Sequence, residues 1–166
     1  AGNRSVHLTR LGESGQVLDD PPLAPPASAL QQTSPRLASN GDVTLMVWQQ
    51  WSASGDPVLI FASRFSPAGA FLDTAVQLDG GGGGVTASAI EGSFDATNFV
   101  VSWAYFWPKS ELYVARVSPA GAVLDPGGKL LATGDVSRMT LASGDGVSLA
   151  AWSDSKNGNI YLRDIY

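Results

Sequence analysis

Ala115-Arg116-Val117-Ser118-Pro119-Ala120-Gly121-Ala122-Val123-Leu124-Asp125 nearly duplicates Ser63-Arg64-Phe65-Ser66-Pro67-Ala68-Gly69-Ala70-Phe71-Leu72-Asp73, 52 residues earlier. Thr9-Arg10-Leu11-Gly12-Glu13-Ser14-Gly15-Gln16-Val17-Leu18-Asp19 carries the pattern 54 residues further toward the N-terminus, and all three copies keep Arg and Asp nine apart. Self-similarity at a fixed period is the signature of a repeat architecture. Within the copies, Ser-Pro-Ala-Gly reads as a tight turn: Pro presets φ at the second position, and Gly supplies the left-handed conformation that a following bulge requires.

A second element alternates with the first: Val43-Thr44-Leu45-Met46-Val47-Trp48, Phe99-Val100-Val101-Ser102-Trp103 and Val147-Ser148-Leu149-Ala150-Ala151-Trp152. Each ends in tryptophan (Trp48, Trp103, Trp152). Each follows turn-forming residues, Asn40-Gly41-Asp42, Asp95-Ala96-Thr97-Asn98 and Gly144-Asp145-Gly146, and before those stand short apolar segments such as Leu37-Ala38 and Met139-Thr140-Leu141-Ala142. That is a hairpin signature. One repeat reads as four strands in about 50 residues, the period and strand count of a propeller blade. The second and third strands are almost continuously apolar, as expected of strands covered on both faces by neighbouring blades. The expectation is an all-β chain of four-stranded propeller-type blades, about three per chain, in a single repeat-built domain. Residues 1–33 form a partial blade, 34–84 and 85–135 whole ones, and 136–166 another partial one. A sandwich or β-solenoid of the same strands stays open at this point.

The repeats resemble the propeller-like repeats of large exported bacterial surface proteins, whose blades run as Asp-Gly, a hydrophobic strand ending in Trp, then Arg, Gly and Leu-Asp-Pro-Gly. Asp95, Phe99 through Trp103, Arg116, Gly121, Leu124, Asp125, Pro126 and Gly127 form the most faithful copy. The copy with Trp48, Arg64, Gly69, Leu72 and Asp73 lacks the trailing Pro-Gly. In the last copy, setting Ile160-Tyr161 against Leu112-Tyr113 puts Asp164 at the arginine position. The resemblance implies a scaffold that carries unrelated activities or none.

Three blades cannot close a ring, because propellers typically have four to eight. The chain is therefore expected to be part of a longer ring or to be completed by other chains; two chains of three blades would give six. Unpaired strand edges are templates for further strands. The terminal strands are expected to knit the chain into a homo-oligomer or polymer.

Composition narrows the partners. The chain of 166 residues is 44% hydrophobic and 15% charged with 19 Gly and 10 Pro, too apolar for disorder and too rich in turn-formers for a helical bundle. A net charge of −5, with lysine only at Lys109, Lys129 and Lys156, leaves no basic stripe for nucleic acid or an anionic membrane. No apolar run approaches the roughly 18–20 residues that span a bilayer, so no membrane insertion is expected. Without cysteine there is no disulfide, zinc ribbon or thiol nucleophile. Low lysine, absent cysteine and abundant Gly, Ser, Thr and Pro point to a secreted or cell-surface protein of a bacterium.

No catalytic residue, metal site or cofactor is expected. The sole histidine, His7, alternates with Val6 and Leu8 and reads as an exposed or rim residue. Gly80 to Gly84 lack the Lys-Ser/Thr of a phosphate loop and read as a connector. Asp154-Ser155-Lys156-Asn157-Gly158-Asn159 lacks the alternating ligands and closing Glu of a calcium loop, and reads as a polar turn. Asn3-Arg4-Ser5 matches a glycosylation triplet of the kind that chance supplies often. Arg10, Arg64 and Arg116 with Asp19, Asp73 and Asp125 recur with the repeat and are read as lying near each other across a hairpin, bracing blade to blade; a ring of ligand-binding arginines is the functional alternative.

Trp51, Tyr105, Phe106 and Trp107 do not recur and follow the second strand, where repeat folds vary their loops. They are the binding candidates, for a protein interface or a glycan. The expected function is a non-enzymatic extracellular structural or adhesion module that self-assembles or belongs to a surface protein. The alternative is a carbohydrate-binding lectin using the aromatic loops.

Overall fold

The computed structural model describes residues 4–26, 28–51, 57–80, 87–106, 109–154, 156 and 158–165. Asn3, Gly81 to Gly84, Trp107, Ser155 and Asn157 lie outside the described residues.

The chain is all-β, with three antiparallel sheets and no helix among the described residues. The first sheet runs β1 (Gln31–Ser39), β2 (Thr44–Trp51), β3 (Leu59–Phe65), β4 (Val76–Gln77). The second repeats that order with β5 (Ala87–Phe94), β6 (Phe99–Tyr105), β7 (Glu111–Val117) and β8 (Lys129–Thr133). The third has three strands, β9 (Val136–Gly144), β10 (Val147–Asp154) and β11 (Ile160–Asp164). Each sheet is a meander, so sequence neighbours pair, as short turns between antiparallel strands require.

The turns follow from local chemistry. Asn40 Oδ1 accepts from the backbone N–H groups of Asp42 and Val43 at 3.0 and 2.8 Å, and Asp95 Oδ1 does the same for Thr97 and Asn98 at 2.8 and 2.6 Å. Such side-chain caps replace the ladder bonds lost where the strand reverses. In the third hairpin Asp145 and Gly146 both take positive φ, 52° and 78°, the conformation of a two-residue hairpin loop.

Register is shared between the sheets. Trp48 stands opposite Phe61, Trp103 opposite Tyr113 and Trp152 opposite Tyr161. In all three the rings stack, with interplanar angles of 23°, 10° and 18°. Because side chains alternate along a strand, β2 has two working faces. Met46 and Trp48 look toward the N-terminal segment, where they pack with Val6 and Leu8, while Leu45 and Val47 join Ile90, Phe99, Val101 and Trp103 in a core between the first two sheets. A smaller cluster of Ala104, Leu112 and Val136, with Met139 and Trp152 against it, joins the second sheet to the third. Burial on both faces explains why β2 and β6 read as continuous apolar runs.

The N-terminal segment forms an irregular hairpin, held by bridges between Leu8 and Leu23 and between Leu11 and Val17. The latter matches the bridges Phe65–Phe71 and Val117–Val123 that follow β3 and β7.

Candidate functional site

The recurring arginines and aspartates meet across the hairpin that follows the third strand of each repeat. Arg10 Nη2 lies 2.6 Å from Asp19 Oδ1, Arg64 Nη2 2.5 Å from Asp73 Oδ1, and Arg116 Nε 2.8 Å from Asp125 Oδ2. Each aspartate also accepts the backbone N–H of its arginine, at 2.8, 3.2 and 3.1 Å. The nine-residue spacing works because of the turn between them. Ser66 N donates to Ala70 O, Gly69 N to Ser66 O and Leu72 N to Arg64 O, at 2.8, 3.1 and 2.9 Å, so the chain returns with Asp73 beside Arg64. Ser118 to Leu124 and Gly12 to Leu18 repeat those three bonds.

Charge-assisted bonds favour the ionised carboxylate. The Arg10 side chain, and after it the Arg10 backbone N–H, holds the Asp19 carboxyl below the usual carboxylate range, against the opposing effect of burial. The Arg64 side chain does the same for Asp73. The two guanidinium groups are raised in turn, first by the same side-chain bonds.

Two of the pairs are also links between repeats. Arg10 Nη1 donates to Pro67 O, and Arg64 Nη1 to Pro119 O, both at 2.8 Å. The guanidinium lies against the turn glycine of the next repeat: a Cβ at Gly69 would stand 2.7 Å from Arg10 Nη2, and one at Gly121 2.8 Å from Arg64 Nε. Arginine, aspartate and the following Pro-Ala-Gly turn thus form one clasp. This crossing was invisible in any single repeat; its signal was that the arginine and the turn recur with the same period.

A second junction, outside the sequence candidates, joins the first two sheets. Buried Asp79 accepts the Ile60 backbone N–H at 3.2 Å and the Tyr105 hydroxyl at 2.6 Å. Burial, and then this carboxylate, drives the Tyr105 hydroxyl far above its ordinary pKa. Asp79 pairs in a bridge with Gly127, whose N–H donates to Leu78 O at 3.0 Å. Beside it, a Cβ at Gly128 would stand 2.5 Å from the Trp103 ring, so the absence of a side chain there lets the indole seat.

The aromatic candidates do not form a common exposed platform. Tyr105, expected in a loop, is the last residue of β6 and is 4% exposed, because its face of the strand looks into the core between the first two sheets. Trp51 ends β2 half-buried against the same core. Phe106 packs instead on the Ala104–Leu112–Val136 cluster, and Trp107 lies outside the described residues. Of the strand tryptophans, Trp48 and Trp103 are wholly buried and Trp152 is half-buried. His7 is exposed, with Nε2 2.8 Å from Ser5 Oγ.

Two grooves flank this framework. One, of about 300 Å3 between the second and third sheets, is lined by Ala132, Thr133, Asp135, Trp152, Asp154 and Tyr161. The other, of about 400 Å3, lies between the N-terminal hairpin and the first sheet and is lined by His7, Leu8, Thr9, Pro35, Leu37 and Met46. Among the described residues no three His, Cys, Asp or Glu side chains gather as metal ligands would.

No family model matches the chain. No curated protein matches it. Among solved structures it is similar to an exo-1,5-alpha-L-arabinanase from a bovine ruminal metagenomic library, with 12% identity over 82% of this chain and 74% of that one and a TM-score of 0.36. At that distance the likeness concerns the fold and does not carry the arabinanase's substrate or reaction to this chain. The expectation of a non-enzymatic module, with its lectin alternative, is corrected to this extent: the structure found similar is an enzyme's, and the sequence gives no ground for excluding catalysis. The physical reason is that a repeat scaffold places its chemistry in the loops that differ between repeats, so missing sequence motifs are no measure of catalysis.

Proposed function

We propose that this chain supplies blades to a β-propeller-type ring that it completes with a second copy of itself. The observation that carries this reading is the outer face of the third sheet. Ile160 and Leu162 are 79% and 69% exposed, whereas Ile60 and Ala62 on β3 and Leu112 and Val114 on β7, which hold the same places in the repeat, are at most 1% exposed. In the first two sheets the following repeat covers that face. At the other end the N-terminal hairpin supplies the outer half of a repeat whose inner strands are absent among the described residues. Contiguous exposed apolar surface of this kind marks an association site.

The two whole sheets and two part-sheets among the described residues are fewer than the four blades a ring needs, and in this reading a second copy supplies the rest. Such a ring is as compatible with catalysis as with binding, since propeller scaffolds carry both. Light scattering over a dilution series tests the reading: a mass of twice the chain, dissociating on dilution, is expected, and a monomer at every concentration overturns it.

A further inference from the structure

We propose that the groove between the second and third sheets binds a small phenolic molecule, whose ring takes the place that Tyr105 fills between the first and second sheets. The site lies within one chain, so it goes beyond the assembly reading and stands or falls without it.

The two junctions between sheets share a frame and differ in what fills it. Trp103 stacks on Tyr113 with ring centroids 5.9 Å apart and Trp152 on Tyr161 at 5.8 Å, so the third sheet keeps the aromatic frame of the second. At the first junction Tyr105, two residues beyond Trp103, is 4% exposed. Its ring packs edge-on against Tyr113 at 6.0 Å and 69°, and its hydroxyl donates to Asp79. Two residues beyond Trp152 stands Asp154, whose side chain has no ring to offer.

The opposite wall changes in step. Leu78, whose N–H donates to Ile60 O, is fully buried, and Ala132 stands opposite Leu112, the counterpart of Ile60. Asp79 follows Leu78 as Thr133 follows Ala132. The leucine and tyrosine of the first junction thus become alanine and aspartate at the second, and both losses fall on the same space. That space is the groove of about 300 Å3 lined by Ala132, Thr133, Trp152, Asp154 and Tyr161.

The lining specifies the occupant. The Tyr161 ring, 41% exposed, offers a ligand the edge-to-face contact that Tyr113 gives Tyr105. Thr133 lines the groove in the place of Asp79, and its hydroxyl oxygen is the acceptor for the hydroxyl of the bound ring. The described lining residues include two carboxylates, Asp135 and Asp154, and no cationic side chain. Their charge repels an anion whatever else those carboxylates bond. A volume of about 300 Å3 is at the small end of ligand pockets and suits a single ring.

The test is an NMR titration of the full chain with p-cresol, the tyrosine side chain as a free molecule. Saturable binding that shifts the Trp152 indole signal is expected. Toluene, which lacks the hydroxyl, should bind about ten-fold more weakly, the loss of one hydrogen bond, and 4-methylbenzoate should not bind. Asp154→Tyr restores the ring of the first junction and should abolish p-cresol binding. Ala132→Leu refills the groove from its other wall and should weaken binding about ten-fold or more; it decides the matter if Asp154→Tyr does not fold. No saturable binding of p-cresol, shifts confined to residues away from the groove, or the parent's affinity in a folded filled variant overturns the site. Equal affinity for toluene and p-cresol, or binding of 4-methylbenzoate, overturns the phenol as its ligand.

Discussion

The second and third sheets are built from the same repeat and differ in what covers them. β6 is buried at every residue, with sheets on both sides, whereas β10 carries the same apolar run and its Trp152 stays half-buried. β7 has four buried and three half-buried residues; β11 is exposed throughout. Burial here is a property of position in the stack, and a strand at the end of a series keeps the composition of an interior one without its environment.

The largest expected break in this contrast comes from the tryptophans. Trp103→Ala should cost about 3–5 kcal/mol in denaturant unfolding, the range for deleting a buried large aromatic, while Trp152→Ala at the same repeat position should cost less than half of that. A smaller cost for Trp103 than for Trp152 would break the comparison. Gly128→Ala should follow, at about 1–3 kcal/mol, because the methyl group meets the Trp103 ring and the backbone has φ +76°; Gly144→Ala, with open space around it and no positive φ, serves as the control.

The clasps come next. Arg64→Met should lower stability by about 1 kcal/mol, since the hydrogen bonds to Asp73 and Pro119 are only part-buried and partly replaced by water. Asp73 has its pKa lowered in the folded chain, so its contribution is fully present above the ordinary carboxylate range and is lost as pH falls through the depressed value. Acid titration of stability should therefore show a smaller loss below about pH 4 in Asp73→Asn than in the parent. An equal loss in both would assign the acid sensitivity elsewhere. The smallest effect is expected from Leu162→Ser, within about 0.5 kcal/mol, because the side chain is 69% exposed. A larger loss, measured at a concentration where the chain is monomeric, would show that β11 is packed more firmly than its exposure indicates.

Much of the architecture was legible because it depends on short-range chemistry. The tryptophan-ended strands, the Asn40 and Asp95 turns and the nine-residue Arg–Asp spacing all express interactions within one hairpin, so they leave periodic marks. Tyr105 was misread as a loop residue because the strand runs one residue past Trp103 and Ala104, and nothing local distinguishes a tyrosine at a strand end from one in a loop. Asp79 was missed for a related reason: its partner Tyr105 is 26 residues away and neither belongs to the repeated motif. Missing motifs were no ground for expecting a non-enzymatic module, because catalysis on repeat scaffolds has no fixed spacing to search for.

By itself the sequence determined the tryptophan-ended strands, the turns before them and the pairs that close each hairpin, since these rest on alternation, turn residues and contacts a few residues apart; the order of strands within each sheet needed the structure. Tertiary structure alone decided that the brace from one repeat to the next lands on the carbonyls of Pro67 and Pro119, that Asp79 and Tyr105 join two sheets, and that Ile160 and Leu162 lie uncovered while their counterparts are buried. The physical reason is that the repeat makes every unit look alike in sequence, and only the stacking of one sheet on another assigns each unit its neighbours.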